Sequence, residues 1–146
     1  MNPIDKAISL SETGLRYGGP FGAVVTRGDE IIGDGFHIML SRRDPTAHAA
    51  IMAIREASRY LKSSDLGCCE IHLSCEACPM CVSAIYLAGI RKVHYAATRG
   101  DAARFGFGYP GLLVIPPDDI EFIQTSESEQ TAARAVFNAL QPQSEE

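Results

Sequence analysis

Three side chains in this sequence have the types and the spacing to hold a metal ion. They are His48, in Thr46-Ala47-His48-Ala49-Ala50, and Cys78 and Cys81, in Cys78-Pro79-Met80-Cys81. Zn²⁺ takes nitrogen and sulfur ligands in a tetrahedron, and a catalytic zinc keeps one of its four positions open for water. One histidine and two cysteines supply three ligands and leave that opening. The placement suits the chemistry. His48 is expected in the first turn of one helix, and Cys78 and Cys81 flank a proline at the start of another. A helix start stabilises a thiolate through its macrodipole and its unpaired N–H groups. Alone, C-x-x-C also fits a redox pair or two core thiols, and His48 alone fits an ordinary helix histidine. Together they point to zinc. Cys75 extends the run to C-x₂-C-x₂-C, which an iron–sulfur cluster could use, but such a cluster normally needs a fourth cysteine. Cys68 and Cys69 are candidates for that role on paper only. Cys75 reads better as a buried thiol at a strand end, and Cys68 and Cys69 as ordinary loop or strand thiols.

The elements that must carry these residues follow from punctuation and period. Asn2-Pro3 is an N-cap with proline at the first helical position, so a helix is predicted from there to about Arg16. Gly18-Gly19-Pro20 breaks it. Phe21 to Thr26 and Glu30 to His37 read as strands of a hairpin turning at Gly28-Asp29. Leu40 to Thr46 is polar and ends in a stop, Asp44-Pro45-Thr46. A helix follows over Ala47 to Leu61, with Ala47, Ile51, Ile54, Ala57 and Leu61 as its buried stripe. Glu70 to Ser74 is a strand, Pro79 to Ala88 a helix ended by Gly89, and Arg91 to Ala97 a strand. A Gly-rich loop spans Gly100 to Gly111. A weak strand over Asp119 to Gln124 and an amphipathic helix over Ser126 to Leu140 complete the chain, with a frayed tail from Gln141. Helices alternating with strands imply a mixed sheet of about five strands with helices on both faces, a three-layer α/β/α sandwich.

Composition sets the frame. The chain has 146 residues, 46% of them apolar and 21% charged, which fits a single globular domain over residues 1–146. A chain of this size buries roughly 68–70% of its unfolded surface and needs no staple. The net charge of −5 and the lack of a Lys/Arg run argue against a broad nucleic-acid or anionic-membrane footprint. Met1 to Gly14 lacks the apolar core of a signal peptide, and no apolar run approaches the ~20 residues of a membrane helix. The expectation is a cytoplasmic protein without membrane or nucleic-acid partners. Its five cysteines then serve as thiols or metal ligands.

Asp44-Pro45-Thr46-Ala47-His48, Ser74-Cys75-Glu76-Ala77-Cys78-Pro79-Met80-Cys81 and Gly18-Gly19-Pro20-Phe21-Gly22-Ala23-Val24-Val25 occur together in one chain. With them the chain resembles the cytidine-deaminase-like superfamily over roughly residues 1–110. Within it, the chain resembles the branch of bacterial guanine deaminase, tRNA adenosine deaminase and fungal-type cytosine deaminase. Gly18 to Val25 and Ala84-Ile85-Tyr86 lean toward the guanine-deaminase-like members. The resemblance implies a three-layer α/β/α fold, Zn²⁺ as cofactor, hydrolytic loss of an exocyclic amine from a small heterocycle, and a homodimer. It also implies a glutamate two residues after the histidine, which moves the protons. Here that position is Ala50, and a methyl group moves none. General acid–base help is typically worth 10²–10⁴-fold. Glu56 is rotated well away on the same helix, and Glu76 belongs to the family pattern in addition to the missing residue. Because the rest of the motif is intact and alanine is the usual disabling replacement, Ala50 reads as an engineered knock-out. The alternative is a natural zinc-binding pseudoenzyme that binds a related ligand without turnover.

The resemblance also places Phe21, His37, Ala49, Ser74 and Phe107 at the substrate. His37 stands where the purine and cytosine members generally carry asparagine, and Gly35-Phe36-His37 is similar to the motif of the deaminase of riboflavin biosynthesis. Ala77 stands where the family usually has proline. Gly108-Tyr109 follows Gly106-Phe107 where the guanine branch usually has acidic residues. Phe105, Phe107 and Tyr109 lie in a loop expected near the pocket, where aromatic rings stack on a flat heterocycle or simply pack in the core. A guanine-like purine base leads the substrate expectation, with pterin and pyrimidine bases behind it. Editing of a flipped tRNA base is a further reading, against which the acidic charge counts.

Overall fold

The computed structural model describes residues 2–113 and 115–140. The expected tail from Gln141 lies outside the described residues. Helix α1 (Pro3–Gly14) starts as its sequence dictates, with the Asn2 side chain accepting from the N–H groups of Ile4 and Asp5 at 2.8 and 3.2 Å. Strands β1 (Gly22–Arg27) and β2 (Glu30–Phe36) form the hairpin, and Gly28 at its turn takes φ +59°, open to glycine at no steric cost. Then follow α2 (Met39–Arg42), α3 (Ala49–Leu61), β3 (Glu70–Cys75), α4 (Pro79–Leu87), β4 (Lys92–Ala97), α5 (Arg99–Ala103), β5 (Glu121–Gln124) and α6 (Glu127–Asn138). Two short helices were not expected. The polar stretch before Thr46 contains α2, closed by Arg43 in the left-handed region. The Gly-rich loop opens with α5, fixed by a reciprocal capping box between Thr98 and Asp101.

The five strands form one mixed sheet in the order β2-β1-β3-β4-β5. β1 runs against β2 and β3, while β3, β4 and β5 are mutually parallel. β2, β3, β4 and β5 therefore end at the same edge, and β1 begins there. Helices α1 and α6 cover one face, and α3 and α4 the other. The larger core lies under α3 and α4, where Val25, Ile71, Leu73, Val82, Ile85 and Val93 are buried together. The smaller one joins Ile4, Ile8, Ala133, Val136 and Phe137. No helix among the described residues is long and apolar enough to cross a membrane.

The stripe that α3 buries differs from the expected one. Ala49, Ala50, Ala53 and Ala57 face the sheet, while Ile51, Ile54 and Leu61 are only partly buried at its flanks. Proximity explains this. A Cβ added to Gly35 of β2 would lie 2.6 Å from the Met52 Cβ and 2.8 Å from the Ala49 carbonyl oxygen, and one on Gly33 would lie 2.5 Å from that of Ala53. Helix and strand approach so closely that glycine must face alanine. That contact sets the height of the start of α3 over the sheet, and with it the positions of His48 and Ala50.

Candidate metal centre

The shared edge of the sheet is where α3, α4 and α5 begin. In open α/β sheets ligands bind beyond the carboxyl ends of the strands, and here three helix N-termini converge on that space. His48 is the N-cap of α3 rather than a member of its first turn, with extended backbone at φ −76°, ψ 157°. Cys78 is the N-cap of α4, and Pro79 occupies its first position without losing a needed N–H. Cys81 sits one turn later on the same helix.

The three side chains meet in a buried corner. His48 Nδ1 lies 3.5 Å from Cys78 Sγ and 3.6 Å from Cys81 Sγ, and all three potential ligand atoms lie within 4.8 Å of one another. A tetrahedral zinc with Zn–S of about 2.3 Å and Zn–N of about 2.0–2.1 Å sets nitrogen and sulfur about 3.5–3.6 Å apart. The donor set and its spacing both fit zinc. The thiols are biased the same way. The neighbouring Cys81 thiol, and then the His48 ring at 3.5 Å, draw Cys78 well below the usual thiol range against burial. Cys81 is pushed up by Cys78 beside it and by burial. Metal binding requires both thiols as thiolates and so releases protons. Cys75 stays apart. Burial raises its thiol, which donates to the Thr98 carbonyl oxygen at 3.4 Å.

A cleft opens beside the corner, lined by Phe21, His37, Ala49, Ala50, Leu73, Cys75, Glu76, Ala77, Arg99, Phe107 and Tyr109 together with the three ligands. Of the substrate residues expected from sequence, Phe21, His37, Ala49 and Phe107 line it. The Phe21, His37 and His48 rings follow one another at centroid distances of 4.4 Å, and Phe107 meets Phe21 edge-on at 5.2 Å. The Ala49 N–H, an unpaired donor of the first turn of α3, goes to His37 Nδ1 at 2.8 Å. A nitrogen that accepts carries no proton, so the His37 ring is neutral with its proton on Nε2. Burial and the neighbouring His48 push its pKa down to about 3.

Two expected residues stand elsewhere. Ser74 is buried outside the cleft, and its hydroxyl accepts from the Gly22 N–H at 2.9 Å, a tie between β3 and β1. The alternation of a strand turns it away while Leu73 and Cys75 point in. Phe105 leaves the aromatic loop for the other side of the sheet and stacks on Phe137 at 5.6 Å. Ala50 is buried, lining the cleft while packing in the alanine stripe, so position 50 faces core and cleft at once. Neither nearby carboxylate replaces a glutamate there. Glu56 is exposed on the outer side of α3, and Glu76 is committed to Arg99 at 2.9 Å. Leu73 and Arg99 escaped the sequence reading. Strand alternation before the metal loop could have flagged Leu73, whereas Arg99 meets a partner 23 residues away that no local signal announces.

The model of the cytidine and deoxycytidylate deaminase zinc-binding region matches residues 4–97. A guanine deaminase from Bacillus subtilis is 43% identical over 106 residues, which are 71% of this chain and 68% of that one. A tRNA-specific adenosine deaminase from Aquifex aeolicus is 40% identical over 78 residues, 53% of this chain and 52% of that one. Among solved structures, a guanine deaminase from Nitrosomonas europaea superposes with a TM-score of 0.81 at 27% identity, covering 93% of this chain and 81% of that one.

Proposed function

The chain belongs to the cytidine and deoxycytidylate deaminase zinc-binding family, and on that premise we propose that its cleft takes a small planar amino-bearing heterocycle for hydrolytic deamination, with turnover limited by Ala50. One observation carries the reading: His48, Cys78 and Cys81 converge at zinc distances in a buried corner whose open side is walled by flat rings. Zn²⁺ held there supplies a Lewis acid that makes a water nucleophilic near neutral pH.

The chain's own residues do the rest. Phe21 and Phe107 offer edges and faces to a flat ring. His37 offers one donor, Nε2–H, and no acceptor, so it suits a carbonyl oxygen or a bare ring nitrogen of the ligand. Arg99 holds Glu76, the one carboxylate among the described lining residues, so the cleft presents no free carboxylate to amino and imino hydrogens. A guanine-like purine leads because of the guanine deaminase relatives, and a pterin or pyrimidine base meets the same wall. The acidic charge favours a free base over a polynucleotide. At position 50 a methyl group faces the cleft, and no proton moves through it.

The test is ammonia release over a panel of purines, pterins and pyrimidines by this chain and by Ala50→Glu. Ala50→Glu should turn over one panel member ~10²–10⁴-fold faster, the span of a regained acid–base group. Rapid turnover by the Ala50 chain refutes the role given to position 50. The pseudoenzyme reading draws on one observation, that Ala50 is buried as part of the alanine stripe of α3. It gains if Ala50→Glu binds zinc and bases yet stays inert.

A further inference from the structure

Between the end of β3 at Cys75 and the start of α4, Glu76-Ala77-Cys78 has no regular structure, yet it must hold Cys78 within tenths of an ångström. What holds it is the end of β4 and the start of α5. The Glu76 N–H donates to the Ala97 carbonyl oxygen at 2.9 Å, and the Cys75 thiol to that of Thr98. Arg99 then makes three contacts of its own. Its N–H, which α5 itself leaves unpaired, donates to Glu76 Oε1 at 2.9 Å. Its Nη2 reaches Glu76 Oε2 at 2.9 Å, and its Nη1 donates to the Ala77 carbonyl oxygen at 2.9 Å. One side chain thus fixes both residues before the ligand Cys78.

We propose that Arg99 is a positioning residue of the metal site, clamping Glu76 and Ala77 so that Cys78 is presented to the metal at tetrahedral distance. The proposal rests on the reading that His48, Cys78 and Cys81 hold zinc. A flat guanidinium is required because one fork must serve a carboxylate and a carbonyl at once, and an ammonium is a single point. Glu76 is thereby a structural acceptor and carries no proton to the substrate. The same clamp joins the metal loop to the segment that bears Ala102, Phe107 and Tyr109 in the cleft wall. Groups that orient metal ligands are worth 10–100-fold in metal affinity.

The experiment is a zinc competition titration against a chromophoric chelator, on the full chain and on Arg99→Ala, Arg99→Lys, Glu76→Gln and Arg104→Ala. Arg104 is an exposed arginine at the end of α5 and controls for net charge. Arg99→Ala should bind zinc ~10–100-fold more weakly, Arg99→Lys should fall in between, and Arg104→Ala should match the parent. The absorption of the Co²⁺-substituted protein should shift in Arg99→Ala and not in Arg104→Ala, a change that lost stability alone does not produce. Should Arg99→Ala fail to fold, Glu76→Gln carries the test with an expected several-fold loss. Parental affinity in Arg99→Ala, or in Glu76→Gln where that is the folded variant, overturns the assignment, as does an equal loss in Arg104→Ala. A parent chain that takes up no zinc overturns the metal reading and the clamp together, whereas a zinc-binding parent with unaffected variants overturns the clamp alone.

Discussion

Strand β3 has a cluster of cysteine and histidine at each end, and only one of them can gather an ion. At its carboxyl end stand Cys75, Cys78, Cys81, His48 and His37. At its start stand Cys68, Cys69, His72 and the neighbouring His94. The first cluster brings three ligand atoms within 4.8 Å of one another, and among the described residues no other group of three does so. At the start of the strand the Cys68 and Cys69 sulfurs are 3.8 Å apart, but the histidines are turned to other partners. His72 bonds Thr26 at 3.0 Å, His94 bonds Glu70 at 2.9 Å, and the two rings stack at 4.5 Å. The difference lies in the elements. Side chains at helix N-termini project into one space and find unpaired N–H groups there. Side chains along a strand alternate between faces and line up beside those of the next strand. Residue types alone do not make a site, and convergence does.

The largest test of that contrast is ligand removal. Cys78→Ser, Cys81→Ser or His48→Ala should reduce bound zinc from about one per chain to a trace, since each leaves only two ligands. Cys68→Ser and Cys69→Ser should keep it. Metal analysis of protein purified without added zinc decides, and retention of zinc by Cys78→Ser with loss in Cys69→Ser would reverse the assignment of the two ends.

Thiol reactivity gives the next effect. In metal-free protein the Cys81 and His48 neighbours draw Cys78 below the usual thiol range, while burial pushes Cys69 up to about 11. Thiolate fraction outweighs the lower intrinsic nucleophilicity of the more acidic thiol, so iodoacetamide at pH 6 should modify Cys78 faster than Cys69. Added zinc should abolish the difference by protecting Cys78. Peptide mapping by mass spectrometry reads both rates.

Packing is tighter at the metal end. Gly35→Ala drives a methyl group into Met52 and the Ala49 carbonyl, and overpacking of this kind costs about 1–3 kcal/mol. It should also weaken zinc, because α3 carries His48. Gly28, at the opposite edge, has nothing within 4 Å. Gly28→Asn, which tolerates the left-handed region, should cost only tenths of a kcal/mol and leave zinc binding intact. Denaturant titrations of both variants, each with and without zinc, test this. Equal losses would mean that the close approach of β2 and α3 does not set the site.

The smallest effect is a pH dependence at the far end. Burial, and then the charge of His94, lowers His72 from 6.5 to about 4. As pH falls through that window the unfolded chain takes up a proton that the folded chain refuses, so stability falls from about pH 6.5 down to about pH 4. Glu70, held below its usual range first by the His94 hydrogen bond, adds to the loss in the same direction. His72→Gln should therefore make the acid decline of Tm shallower without removing it, measured with a chelator present so that metal release does not enter. An unchanged slope would exclude His72 as a contributor.

The parts of this protein legible in its sequence are those governed by local chemistry. Asn2 before Pro3 caps α1, Gly28 turns the hairpin, and Cys78 before Pro79 opens α4, because each acts on backbone within a few residues of itself. The convergence of His48, Cys78 and Cys81 was legible for a related reason, since three side chains of ligand type stood at expected helix starts. What only the tertiary structure decided is which partner each side chain reaches. Alanines rather than isoleucines face the sheet because α3 rides directly on Gly33 and Gly35 of another strand. Ser74 is spent on Gly22, Phe105 on Phe137, and the Ala49 N–H on His37. Arg99 finds Glu76 just beyond the ends of two adjacent parallel strands. No period or spacing encodes those pairings, because they depend on distances in space that the order of residues leaves free until the sheet brings its edge together.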